Sequence, residues 1–251
     1  MPAQMACITA QTVLLIGGAN GGSLPRVLRL PHLLNVTLLD IDHELHQISQ
    51  RFLGHMHGES LADPRVRMVF GPPHEQLKDL LKEGRRFDII VADTPDATDD
   101  SYSSHLFSSE YLGMLSDLLT DDGIFVTQAG QAHPMNCRFT ARVVTTLDNI
   151  FPETVLYTQH VQSFGVPWCF ALAGRAAKEI ALADPAWIDA RLNRLKGSGA
   201  ETYDGTTHRH MFSLPKLLRT SIELEKRYLT PITLSQMEHV LVTENHYSKE
   251  T

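Results

Sequence analysis

A chain of 251 residues is long enough for one large domain, or a domain with a small appendage. Its 43% hydrophobic and 20% charged residues exclude wholesale disorder, and a net charge of −7 without a basic block argues against a nucleic-acid partner. No apolar run approaches the ~20 residues that cross a bilayer, and the opening MPAQMACITA has no basic region of a secretory signal.

In chain order, short runs rich in leucine or β-branched residues alternate with longer amphipathic stretches. Residues 12–16, 36–40, 66–70, 87–92 and 123–128 read as buried strands bounded by Gly, Pro or charge. Helical spacing falls between them, at 23–30, 43–52, 74–82 and 110–119. A further helix over 137–150 precedes strand-like 154–160 and 169–173. Strand alternating with helix predicts βαβ crossovers, hence an α/β, Rossmann-like sheet, mostly parallel, with helices on both faces. After Gly174 the pattern changes. Residues 176–196 look helical but are interrupted by Pro185, 197–207 read as a loop, and 210–228 as a helix with a start or kink at Pro215. Weak helical spacing covers 235–243, and the last residues are expected to fray. We divide the chain into a nucleoside-binding catalytic domain, 1–175, and a helical tail packed on it, 176–251.

The run VLLIGGANGGS enters as a strand and breaks into Gly17, Gly18, Ala19, Asn20, Gly21 and Gly22. Glycines let the backbone turn sharply and approach a ligand with no Cβ in the way. About twenty residues on, at the end of the next strand, stands Asp40, followed by Asp42. An acid there is placed to accept from both hydroxyls of a ribose. The plain alternative is a tight strand-to-helix turn with an acid at a helix start. The paired glycines suit a nucleoside on a sulfonium at least as well as a pyrophosphate.

FDIIVADTPDATDD ends its strand at Asp93, then sets Asp96, Asp99 and Asp100 on a loop. Ligands of open α/β sheets sit at the carboxyl ends of the strands, so Asp93 shares an edge with the glycine turn and Asp40. A primary amine with a pKa of about 10.4 must lose a proton before it attacks carbon. A carboxylate can hold the cation and then take that proton. A solvated acidic loop with a helix cap at Ser101 or Ser103 is the bland reading, and the better one for Asp99 and Asp100.

VLLIGGANGGSLPRVLR, VTLLDIDHEL, DPRVRMVFG, FDIIVADTPD, LFSSEYL, DDGIFVTQAG, VPWCFALAG and HRHMFSLPKLLR together resemble the spermidine synthase (polyamine aminopropyltransferase) family. Each motif is short, but eight occur in order between residues 13 and 219. The resemblance implies a class I methyltransferase-type fold that binds decarboxylated S-adenosylmethionine and passes its aminopropyl group to a polyamine. It also implies a cytoplasmic homo-oligomer, a dimer or tetramer, with no metal and no membrane or nucleic-acid partner. Carried position by position, Gly17, Gly18, Asn20, Gly22 and Gly71 fall on the cofactor-binding turns. Asp40 takes the place of the ribose acid, usually glutamate. Asp93 matches the carboxylate that activates the amine, and Asp96 one that holds the acceptor. Trp168 matches an aromatic wall of the acceptor groove, with a plain core tryptophan as the alternative.

Departures are as informative. Asn20 replaces an aspartate that meets the cofactor's amine, Gly71-Pro72-Pro73 replaces a turn whose aspartate meets the adenine amino group, and Phe164 replaces a common tyrosine. Hydrogen bonds to charged groups contribute roughly 1.5–3 kcal/mol each, so losing two costs at least a factor of ten in affinity. The resemblance begins at the first core strand, so the family's small β-stranded N-terminal domain is expected to be missing. Three readings stay open: an aminopropyltransferase with an altered site, an S-adenosylmethionine-dependent methyltransferase of the same fold, and a non-catalytic subunit. The acceptor amine is not legible.

The close histidine pairs His43/His46, His55/His57 and His208/His210 lack a recognised metal-ligand pattern. Cys7, Cys137 and Cys169 are too scattered for a disulfide framework or zinc cluster. Tyr203 and His208 read as structural, and Gln128 stands at a strand end that can face the pocket.

Overall fold

The computed structural model describes residues 1–95, 102–197 and 200–234, apart from the side chains of residues 102–104. Asp96, Asp99, Asp100, Ser101 and the weakly helical 235–243 lie outside the described residues. Seven strands form one sheet: β1 (Thr12–Ile16), β2 (Asn35–Asp40), β3 (Val66–Phe70), β4 (Phe87–Ala92), β5 (Leu119–Gln131), β6 (Thr154–Val161) and β7 (Val166–Ala173). Their order is β3-β2-β1-β4-β5-β7-β6, and β1 to β5 run parallel. The last hairpin supplies the antiparallel pairs, β5 with β7 and β7 with β6. The expected α/β fold, Rossmann-like with a helical C-terminal region, is the observed one.

The helices are α1 (Pro2–Ala6), α2 (Leu24–Val27), α3 (His43–Phe52), α4 (Gly54–His57), α5 (Pro73–Lys82), α6 (Ser109–Asp117), α7 (Arg138–Asp148), α8 (Ala177–Ala181), α9 (Pro185–Leu192), α10 (Gly205–Phe212) and α11 (Lys216–Lys226). Alternation within the strands builds two cores. Leu14, Ile16, Ile90 and Phe125 pack with α5, α6, α7 and α11 on one face. Val13, Leu15, Ile89 and Val126 pack with α1, α2, α8, α9 and α10 on the other. The C-terminal helices therefore serve both faces. No described helix is long and apolar enough to cross a membrane.

Four local expectations are corrected. The helix expected over 23–30 shortens to α2, because Pro31 has no N–H to give the Val27 carbonyl, which accepts the Leu30 N–H in a tighter turn instead. The strand expected over 123–128 extends in both directions to become β5. The 210–228 helix is two: α10 and α11 are parted at Pro215, which caps α11. Helix α10 also starts inside the segment read as a loop, since Asp204 accepts from the Thr207 N–H at 2.7 Å and Asp189 from the Gly205 N–H at 2.7 Å.

The C-terminal region is pinned by a buried polar pair. His208 has no exposed surface. Its Nε2 lies 2.6 Å from the Ile180 carbonyl, which can only accept, so Nε2 carries the proton. Nδ1 then accepts the Tyr203 hydroxyl of a neutral ring. Burial lowers the His208 pKa, the Ile180 bond partly opposing it. The unfolded chain consequently binds the proton more readily, so stability falls as pH drops below about 6.5, the unperturbed value. Thermal melting across pH 7.5 to 5.5 should show this loss, and His208→Gln should flatten it. Tyr203→Phe at neutral pH should cost about 1 kcal/mol.

Candidate functional site

The carboxyl edge of the sheet gathers the loops that follow β1, β2, β3 and β4. The Asp93 N–H donates to the Ile16 carbonyl at 2.8 Å, and the Gly17 N–H to the Leu39 carbonyl at 2.8 Å. These two bonds continue the sheet one step beyond the strands, so the glycine turn sits between the ends of β2 and β4. Gly17 has φ +82°, and a Cβ there would stand 2.1 Å from the Asp93 carbonyl oxygen. Only glycine permits that approach. Gly18 has φ +86° but open space around it.

A cleft of about 350 Å³ opens above this junction. Gly17, Gly18, Asp40, Asp42 and Asp93 supply its polar rim; Ile41, Leu45, Pro73 and Leu106 supply apolar walls. Asp40 is buried, and both its oxygens are engaged: Oδ2 accepts the Ala19 N–H at 2.7 Å and Oδ1 the Asp42 N–H at 2.9 Å. Each carboxylate oxygen has a second lone pair, so acceptor capacity toward the cleft remains. Asp42 caps α3 by accepting the Leu45 N–H at 2.7 Å.

Asp93 lines this cleft and also a second one of about 200 Å³, formed by Thr127, Gln128, Tyr157 and Phe170 with residues of α1. Among the described residues it is the one the two share. One side of Asp93 is open to solvent while protein crowds the others, and this partial desolvation raises its carboxyl above the usual carboxylate range. A carboxylate so placed is a better proton acceptor than a free one.

The remaining residues singled out from the sequence fall around the cleft. Asn20 and Gly22 lie within the turn, where Asn20 Oδ1 accepts the Gly22 N–H at 2.9 Å. That bond turns the amide oxygen into the loop. Gly71 leads from β3 to α5, its N–H bonded to the Asp40 carbonyl at 3.0 Å. Pro73 occupies the first turn of α5, where proline is tolerated, and walls the cleft without filling it. Trp168 is buried and donates Nε1–H to Gln128 Oε1 at 3.0 Å. Phe164 is exposed, with its ring 4.7 Å from that of Trp168. Neither aromatic lines the two cavities. Asp96 lies outside the described residues. Among described residues, no three His, Cys, Asp or Glu side chains gather as a metal site would require.

Sequence reasoning passed over Thr94, Leu106, Tyr157 and Phe170. Alternation along β6 and β7 marks Tyr157 and Phe170 as inward-facing, but not as neighbours of Asp93. Their rings stack at 5.3 Å, across a pairing of strands distant in order from β4.

The two adjacent glycines give a test. Gly17→Ala should lower the melting temperature by several degrees, because the Cβ strikes main chain. Gly18→Ala should cost only the left-handed penalty of about 1–2 kcal/mol. Thermal melting of the two variants side by side checks this.

A family model described as the spermine/spermidine synthase domain matches residues 3–183, most of the chain. Among curated relatives, the polyamine aminopropyltransferase of Aeropyrum pernix is 28% identical over 230 residues, 91% of this chain and 72% of that protein. That of Pyrobaculum arsenaticum is 30% identical over 215 residues, 85% and 73% of the two chains. The crystal structure of spermidine synthase from Thermotoga maritima superposes with a TM-score of 0.75 at 21% identity, covering 89% of this chain and 72% of that one. A spermidine synthase in complex with the transition state analogue AdoDATO gives the same score and identity over 89% and 74% of the chains. With the cleft at the sheet's carboxyl edge and the matches running nearly the length of the chain, the protein belongs to the spermine/spermidine synthase family and is an enzyme of the aminopropyltransferase type.

Proposed function

We propose that this enzyme transfers an aminopropyl group from decarboxylated S-adenosylmethionine to an amine of a polyamine, with Asp93 as the base. The observation that carries the reading is the position of Asp93, which alone among the described residues lines both cavities. The cleft beside the glycine turn takes the nucleoside: Asp40 offers its remaining lone pairs to the ribose, and Ile41, Leu45, Pro73 and Leu106 pack against the base. The second cavity takes the amine, with Gln128 and Tyr157 beside it. On this reading 1–175 is the catalytic unit, 176–251 packs on it, and the chain self-associates.

The chemistry is a direct displacement. Asp93 first holds the ammonium and then accepts its proton, which frees the nitrogen lone pair. That pair forms the new bond to the methylene carbon beside the sulfonium as the carbon–sulfur bond breaks. The released electron pair stays on sulfur, leaving neutral methylthioadenosine. Placement of the two reactants on either side of Asp93 supplies most of the rate. Asp96 is assigned the second contact to the acceptor, and Trp168 with Phe164 the aromatic wall, held through the Trp168–Gln128 bond.

Asn20 brings no negative charge to the donor's amine, and its oxygen is occupied by Gly22. The preference for the decarboxylated donor therefore rests on Asp93 and its neighbours. Calorimetric titration with decarboxylated and intact S-adenosylmethionine in parallel should show tighter binding of the first. Tighter binding of the second would indicate methyl transfer instead, and a folded protein that binds neither would indicate a non-catalytic subunit.

Asp93→Asn should reduce turnover by about 10²–10⁴-fold and leave methylthioadenosine affinity nearly unchanged. Normal turnover by this variant would overturn the role of Asp93. Because burial raises the Asp93 pKa, turnover should rise with pH along a limb set above the ordinary carboxylate value of about 3.9. The stability sign is opposite: a raised carboxyl pKa means the folded chain binds the proton more readily, so ionisation at neutral pH destabilises it. Asp93→Asn should accordingly melt no lower than the parent at pH 7.

A further inference from the structure

A separate cavity of about 680 Å³ is framed by α2, α4 and residues 196–197 and 200–203. Its described lining has no residue in common with the cleft beside the glycine turn. Four basic side chains border it, Arg26, Arg29, His55 and Lys196, against one acid, Glu201. The chain as a whole carries 29 acids and 22 lysines and arginines, so this concavity runs against the protein's own charge. The four come from three segments distant in sequence, which is why no basic block is visible there.

The backbone holds this cluster together. Arg29 and Lys196 exchange two hydrogen bonds: the Lys196 N–H donates to the Arg29 carbonyl at 2.8 Å, and Arg29 Nε–H to the Lys196 carbonyl at 2.8 Å. Two cationic residues are thereby fixed side by side. Neither Arg26 nor Lys196 joins an ion pair among the described residues. Like charges crowded around one hollow repel each other, and an anion placed between them reverses that sign.

We propose that this cavity binds a small anion carrying a diphosphate or triphosphate group, with Arg26, Arg29 and Lys196 as its charged contacts. The arginine fork matches the geometry of phosphate oxygens, and lysine adds a compact point charge. A monoanion would leave two of the three cations unmatched. The volume accommodates a chain of phosphates, free or attached to a nucleoside. Long nucleic acid is not the occupant, because the net charge of −7 repels it everywhere outside this hollow.

Inorganic diphosphate, inorganic triphosphate and ATP, each free of divalent cations, are titrated calorimetrically into the full chain at low ionic strength. Triphosphate should bind more tightly than diphosphate. ATP tighter than triphosphate identifies a nucleotide as the source of the group, and equal affinities identify the free anion. Arg26→Gln and Lys196→Gln should each weaken triphosphate binding about 10-fold and should melt no lower than the parent without ligand. Arg219→Gln, on α11 and outside this lining, should change the affinity by less than about twofold, as a screened distant charge would. Saturating methylthioadenosine should leave triphosphate bound. The proposal is overturned if the parent binds none of the three anions at about 1 mM, or if Arg219→Gln weakens binding as much as the two cavity variants do. Displacement of triphosphate by methylthioadenosine also overturns it, since the anion would then occupy the cleft beside the glycine turn.

Discussion

The contact between the glycine turn and the end of β4 is the constraint on which the site depends. Gly17 lies against the Asp93 main chain so closely that no side chain fits between them. Two hydrogen bonds, Asp93 N–H to Ile16 and Gly17 N–H to Leu39, hold the ends of three strands at one level. The glycine turn and the Asp93 carboxylate thereby share a wall of one cleft. Were that contact looser, each group would keep its chemistry and lose its position relative to the other, which is where proximity effects on rate arise.

Asp40 illustrates how one carboxylate at the cleft rim serves the architecture. Its two oxygens tie Ala19 of the first turn to Asp42 at the start of α3. The side chain is one methylene shorter than the glutamate that the family resemblance leads one to expect, and it sits drawn into the turn. Asp93 shows the reverse balance. Its partial desolvation disfavours the charged form and raises its pKa. A carboxyl whose pKa is raised in this way costs stability when ionised and gains proton affinity, a common arrangement at reactive positions.

The helices beyond Gly174 are integral to the body of the protein. Ile180, Ile188 and Met211 complete one core, while Leu218 and Ile222 complete the other. The Tyr203–His208 pair joins α10 to α8 through the Ile180 carbonyl. A neutral, fully bonded histidine gives that junction directional specificity that apolar packing alone lacks.

The sequence by itself determined the strands and their order of appearance, because short leucine-rich or β-branched runs bounded by glycine, proline or charge have few alternatives in a chain of this length. It also determined the glycine turn, Asp40 and Asp93, each set by its place at a strand end. Helix limits were less legible: α2 ends at Val27, where the turn tightens ahead of Pro31, although the apolar spacing runs on to Leu30. Only the tertiary structure decided that Pro73 walls the cleft and that Tyr157 and Phe170 stand near Asp93. These are facts of pairing between segments distant in sequence. Local propensity carries no term for them, since each contact exists only after the sheet has brought its strands together.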